Sequence, residues 1–151
     1  MNFDDIVSVR YFDVDTSILA EDYTPPVFAP ISAAELYNLF DNVNVLWHKI
    51  SINVMTLTYD HHALDRINER KITLNELRNV FREAYRLYGK EIQQMGVEKP
   101  GFNGVLRDQR TKVNIPFELH WNSNLGMIDL RVKTVMRKDN FGSINSPFFR
   151  I

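Results

Sequence analysis

The sequence predicts an α+β fold, and three observations carry that prediction. Two capping-box patterns, Ser32-Ala-Ala-Glu35 and Thr73-Leu-Asn-Glu76, each open a stretch of apolar residues at helical spacing. From Val113 onward the apolar residues recur at every second position, the period of a half-buried strand. Between two such stretches lies Ser123-Asn-Leu-Gly126, which has the residue types of a turn. A chain of 151 residues suffices for one ordinary domain with a small N-terminal elaboration.

Taken in order, residues 7–12 alternate and are rich in aromatics, so they read as a short strand. Asp13 to Pro30 carries Pro25, Pro26 and Pro30 among scattered acids; proline fixes φ and removes donors, which makes this an extended connector. The first capping box then starts a helix over about 33–48, with Leu36, Leu39, Phe40, Val43 and Trp47 along one stripe. Trp47 and His48 read as packing and a helix-end contact. Residues 51–58 alternate, with Ile52, Val54 and Thr56 on one face of a strand. Asp60 reads as the N-cap of a short helix closed by Lys71 and Ile72. The second capping box starts a longer helix over about 74–92, where Leu77, Val80, Phe81, Ala84 and Tyr88 face a core and Gly89 weakens the last turns.

Gln94 to Asn103, with Gly96, Pro100 and Gly101, reads as a loop, and Gly104 to Arg107 as a short strand. In the next strand Val113, Ile115, Phe117, Leu119 and Trp121 share one face, while Asn114, Glu118 and His120 share the other. Pro116 cannot donate to a ladder and suggests that this strand lies at an edge. The return strand places Ile128, Leu130, Val132, Thr134 and Met136 inward and Asp129, Arg131, Lys133 and Arg137 outward. If the turn is Ser123–Gly126, paired residue numbers sum to 249. His120 then faces Asp129, and Glu118 faces Arg131, with about 5 Å between Cβ atoms. A slip by one residue would set polar positions against buried ones, so burial of one face fixes this register. The tail, 141–151, is aromatic without a period; it either packs back on the domain or reaches a partner.

Eighteen basic and nineteen acidic side chains give a formal charge of -1, so nucleic acid would have to bind through a local patch and not through bulk charge. No cysteine is present, which removes a disulfide framework, a thiolate metal site and a cysteine nucleophile. The acidic start lacks the pattern of a signal peptide, and no apolar run reaches the length of a membrane span. These features predict a cytoplasmic protein that does not enter a membrane.

The segment Tyr59-Asp-His-His-Ala-Leu-Asp-Arg-Ile-Asn-Glu-Arg-Lys-Ile72 carries the sharpest chemical pattern. On its helix Ala63, Leu64 and Ile67 gather on one side, while His62, Arg66 and Arg70 recur at i, i+4 and i+8 along another. A titratable imidazole above two guanidinium groups suits a phosphodiester. With Glu118, His120, Arg131, Lys133 and Arg137 on the open strand face, the parts of a metal-independent ribonuclease are present. RNA cleavage by its own 2′-OH needs a base, an acid for the leaving 5′-oxygen and donors for the phosphate. His62 and His120 are the base and acid candidates, with Arg66 and Glu118 beside them. Arg70, Arg131, Lys133 and Arg137 are the RNA- and phosphate-binding candidates. The competing reading pairs Arg66 and Arg70 with Asp65 and Glu69, and has Glu118 merely neutralise Arg131. His61 and His62 are adjacent and point apart on a helix, and no metal-ligand spacing, phosphate-cradling glycine loop or Gly-x-Ser-x-Gly nucleophile occurs, so neither a metal nor a cofactor is expected.

That fourteen-residue segment resembles the RegB-like and RelE-type endoribonucleases, a superfamily that includes the early-mRNA endoribonuclease of T-even phages and small His-Ala-x-x-Arg-x-x-x-Arg domains. The resemblance is tight over the segment, topological from there to about 138, and does not reach residues 1–50. It implies a RelE-like antiparallel sheet with helices packed on one side, cutting RNA without a metal, and matches His62, Asp65, Arg66 and Arg70 to the family's helix. A second functional histidine of the phage enzyme, one helix further on, has no counterpart in Phe81-Arg82-Glu83; His120 could take its place. The implied organisation is an N-terminal extension (1–50: strand, proline-rich connector, helix), a RelE-like core (51–140) and an aromatic tail (141–151). The expected function is metal-independent cleavage or binding of single-stranded RNA or mRNA, free or ribosome-associated, by a chain that is phage-encoded. The alternative is an inactive relative whose extension or tail, through Phe148 and Phe149, binds a protein, as a regulator or virion component.

Overall fold

The computed structural model describes residues 24, 27–50, 55–138 and 147–151, so the strand expected at 7–12 and most of the proline-rich connector lie outside the described residues. Helix α1 (Ala33–Ile50) opens on its capping box: the Ser32 N–H donates to Glu35 Oε1 at 3.0 Å and the Glu35 N–H to Ser32 Oγ at 3.1 Å. Bonding to the Ser32 backbone, and then to its hydroxyl, holds the Glu35 carboxyl below its ordinary range. Leu36, Leu39, Phe40, Val43 and Trp47 are all buried, as the helical stripe requires.

Strand β1 (Met55–Tyr59) turns Met55 and Leu57 into the core. Thr56 and Thr58 therefore lie on the opposite face; Ile52 and Val54, expected to share a face with Thr56, fall outside the described residues. The Asn44 side chain of α1 accepts the Leu57 N–H at 2.6 Å and donates to the Leu57 carbonyl at 3.1 Å, mimicking a neighbouring strand where β1 has none among the described residues. Helix α2 (Ala63–Glu69) differs from expectation at its start. The N-cap is His62, without a side-chain bond, and Asp60 instead contributes its backbone: its carbonyl accepts the Ala63 N–H and its own N–H donates to Val132. Asn68 of α2 bonds both backbone groups of Ile31 and pins the segment that leads into α1.

Helix α3 (Leu74–Glu98) begins on a complete capping box between Thr73 and Glu76 and runs past the expected loop at 94–98. Gly96 explains the difference. A Cβ there would come within 2.8 Å of Ile128 Cγ2, so the glycine lets the helix approach the sheet and does not end it. The break falls later, where Gly101 adopts φ 85° before β2 (Asn103–Arg107).

Strands β3 (Val113–Asn122) and β4 (Met127–Val132) pair in the register read from the sequence: Glu118 with Arg131, His120 with Asp129 and Asn122 with Met127. Two short strands, β5 (Met136–Arg137) and β6 (Phe148–Arg150), complete a six-stranded sheet of order β1-β4-β3-β2-β6, with β5 paired to β3. The sheet is mixed, correcting the all-antiparallel expectation. β1 runs parallel to β4 and β6 parallel to β2, because each joins the free edge of a strand far from it in sequence.

β3 is interior and not the edge that Pro116 suggested. The donor that proline lacks would face Lys133, where the β4 ladder has ended; Lys133 N–H still donates to the Pro116 carbonyl at 2.9 Å. Beyond Val132 the expected alternation also stops. Val135 is buried while Thr134 and Met136 are half-buried, since residues 133–135 leave the strand. Trp121 keeps the inward-facing parity but lies past the core, 55% exposed.

The two long helices pack on the face that presents Phe117, Leu119, Ile128 and Leu130. Phe40 meets Tyr59 and Phe81 edge-on, Tyr85 stacks on Trp47, and Tyr88 packs on Phe149. α1 thus shares one hydrophobic core with the sheet; Phe149 of β6 belongs to that core, and its neighbour Phe148 is also buried. Of the tail, residues 147–151 are described, and there both rings are turned inward, away from the surface on which the protein-binding alternative would use them.

Candidate functional site on the polar strand face

The opposite face of β1, β4 and β3 gathers charge. His120 Nε2 lies 2.5 Å from Glu118 Oε1 without meeting the geometry of a hydrogen bond. Across the ladder Asp129 is only 5% exposed. Its burial is offset by the Thr58 hydroxyl, within 2.8 and 2.9 Å of its two oxygens, and by Arg131 Nη2 at 3.3 Å. Further along, Lys133 Nζ reaches Asp60 at 3.5 Å. The result is three neighbouring acid–base pairs (Glu118–His120, Asp129–Arg131 and Asp60–Lys133) on one half-open surface.

The other sequence-derived candidates are distributed differently. His62 is exposed at the start of α2, its ring 3.8 Å from that of His61; the two precede the helix and lie side by side, tilted by 43°, instead of pointing apart. Arg66 is exposed and pairs with Glu69 at 3.0 Å, the competing reading of that residue. Among the described residues neither His62 nor Arg66 bonds to the strand face, which meets this segment through Asp60 and Lys133. Arg70 turns to the end of β4 and donates to Thr134 Oγ1 and the Val135 carbonyl. Arg137 grips Glu76 with both Nη atoms at 2.8 Å and also reaches the carbonyls of Thr111 and Lys71. Through these bonds both guanidinium groups tie segments distant in sequence to one another.

Sequence reasoning missed Thr58 and the Asp60–Lys133 pair. Both depend on β1 lying parallel to β4, a pairing between segments 73 residues apart that no local pattern signals. Two clefts, of about 280 and 410 Å³, lie elsewhere: one beside Pro30 and Arg78, the other beside Glu83 and Arg110. Chemically, the polar face offers a carboxylate–imidazole pair for proton transfer, with a guanidinium and an ammonium next to it for an anion. No group of three or more His, Asp or Glu residues among the described residues is disposed to hold a metal ion.

Among the described residues these features define an α+β domain of three helices and one open mixed sheet, with the acid–base pairs on the face opposite the two long helices. No helix among the described residues is long and apolar enough to cross a membrane. Compared with protein-family models, characterised proteins and solved structures, the chain shows no significant match to any of them.

Proposed function

We propose that this chain is a metal-independent endoribonuclease or RNA-binding protein of the RelE and RegB type, acting on single-stranded RNA or mRNA in the cytoplasm, that of a bacterial host if the chain is phage-encoded. The observation that supports it is the register of β3 against β4, which sets Glu118 and His120 directly across from Arg131 and Asp129. In this reading Glu118 takes the proton of the 2′-OH, whose oxygen attacks the phosphorus. The bond to the 5′-oxygen breaks, and His120 gives that oxygen a proton. Arg131 and Lys133 hold the non-bridging oxygens as charge builds on them. His62 and Arg66 serve flanking RNA, while Arg70 and Arg137 serve the fold.

The test is cleavage of mixed single-stranded RNA in EDTA. Wild type should cut, and His120→Ala and Glu118→Gln should each lose at least about 100-fold, the scale of a lost acid or base. His62→Ala should lose less. Absence of both cutting and low-salt RNA binding in wild type would sink the reading. One observation favours the rival, an inactive protein-binding relative: Trp121 and Leu125 at the β3–β4 hairpin are each 55% exposed. In that case Trp121→Ala would abolish a complex that His120→Ala leaves intact.

A further inference from the structure

Among the described residues, each basic side chain of the polar face already has an acid beside it. Glu118 lies against His120, Asp129 against Arg131 and Asp60 against Lys133. We infer that these carboxylates occupy the places of an incoming ligand's phosphates, so that the face is held closed by its own acids and binds a polyanion by exchange. The inference rests on the reading of this face as a phosphate-binding surface. Its physical basis is the charge balance. A chain of formal charge -1 generates no long-range pull on a polyanion, and each local cation is neutralised within 3.5 Å. A phosphate oxygen must therefore displace a carboxylate oxygen before it can be bound.

The acids differ in how readily they yield. Asp129 is nearly buried and tied by Thr58, so it orients Arg131 more than it competes. The Asp60 side chain is 31% exposed and, among the described residues, is held only by Lys133 at 3.5 Å, which makes it the acid that moves first. Its backbone bonds to Val132 and Ala63 do not involve the carboxylate, so Asp60→Asn keeps the turn before α2.

The experiment measures affinity at low salt for a 2′-O-methyl oligoribonucleotide, which lacks the attacking hydroxyl and reports binding alone. Asp60→Asn should bind about two- to fivefold tighter than wild type, the range of an exposed ion pair. Asp129→Asn, which loses the orientation of Arg131, should not share that gain, and Lys133→Met should bind more weakly. In the Lys133→Met background Asp60→Asn should add nothing. Glu83→Gln, which frees Arg86 on α3 with the same change in net charge, should leave affinity unchanged.

An Asp60→Asn protein no tighter than wild type, or a gain that persists without Lys133, overturns the inference. If no variant binds the oligonucleotide, inorganic phosphate is titrated while Lys133 is followed by NMR. A larger phosphate response in Asp60→Asn than in wild type then supports self-closure while RNA is dismissed as the ligand. No response in either protein overturns both.

Discussion

Under α1 and α3, Phe117, Leu119, Ile128 and Leu130 are at most 1% exposed; one residue along the same two strands, Asp129, Glu118, His120 and Arg131 have side chains 5 to 42% exposed. The first set is held by area and shape, the second by charge matching. The two faces were built from one alternating pattern, yet they fail in different ways. Removing an apolar side chain leaves a void, whereas removing one charge leaves its partner exposed to water or to a ligand. A candidate site can therefore sit on the polar face without weakening the sheet that carries it.

The largest expected effect breaks the apolar side. Phe117→Ala should lower the free energy of unfolding by about 3–5 kcal/mol in urea denaturation. His120→Ala, three residues on and on the other face, should change it by less than about 1 kcal/mol. Equal losses would mean that the polar face carries stability after all.

Next comes the arginine assigned to the fold. Arg137→Met leaves the nearly buried Glu76 without its two guanidinium bonds and should cost about 2–3 kcal/mol. Oligonucleotide affinity of the folded variant should match wild type. A selective loss of affinity at full stability would return Arg137 to the ligand-binding face.

Asn44→Ala strands the N–H and carbonyl of Leu57 and should cost about 1–3 kcal/mol, read by thermal unfolding. The smallest effect is at Glu35. Its carboxyl is depressed by the Ser32 bonds, so its contribution is present above the ordinary carboxylate value of 4.5 and fades as pH falls through the lowered folded value. A melting series from neutral to acid pH should show slightly more acid sensitivity in wild type than in Glu35→Gln. Identical curves would leave the capping box without an electrostatic part.

What the sequence disclosed follows from distance along the chain. The register of β3 on β4 was legible because one turn connects them and burial of one face forbids a slip, which brought Glu118, His120, Asp129 and Arg131 together correctly. Both capping boxes were legible because their bonds close within three residues. The parallel place of β1 was not, and with it went Thr58 and the partner of Lys133. The bonds of Arg70 and Arg137 were not legible either, because the carbonyls they reach lie on distant segments. Gly96 and Pro116 misled for a shared reason. Each is a breaker by its own chemistry, and each was placed where a neighbour, Ile128 or the end of β4, makes that chemistry harmless.

The distant partnership of β1 also has a meaning in time. Each β1 residue pairs with one that leaves the ribosome 73 residues later. At about 5–20 residues per second, that is roughly 4–15 s of synthesis during which β1 has no strand beside it. In that interval Asn44, only 13 residues upstream, is already available to occupy the Leu57 backbone. The same amide that closes the edge of the finished sheet can thus shield a nascent strand from premature pairing while its proper neighbour is still being made.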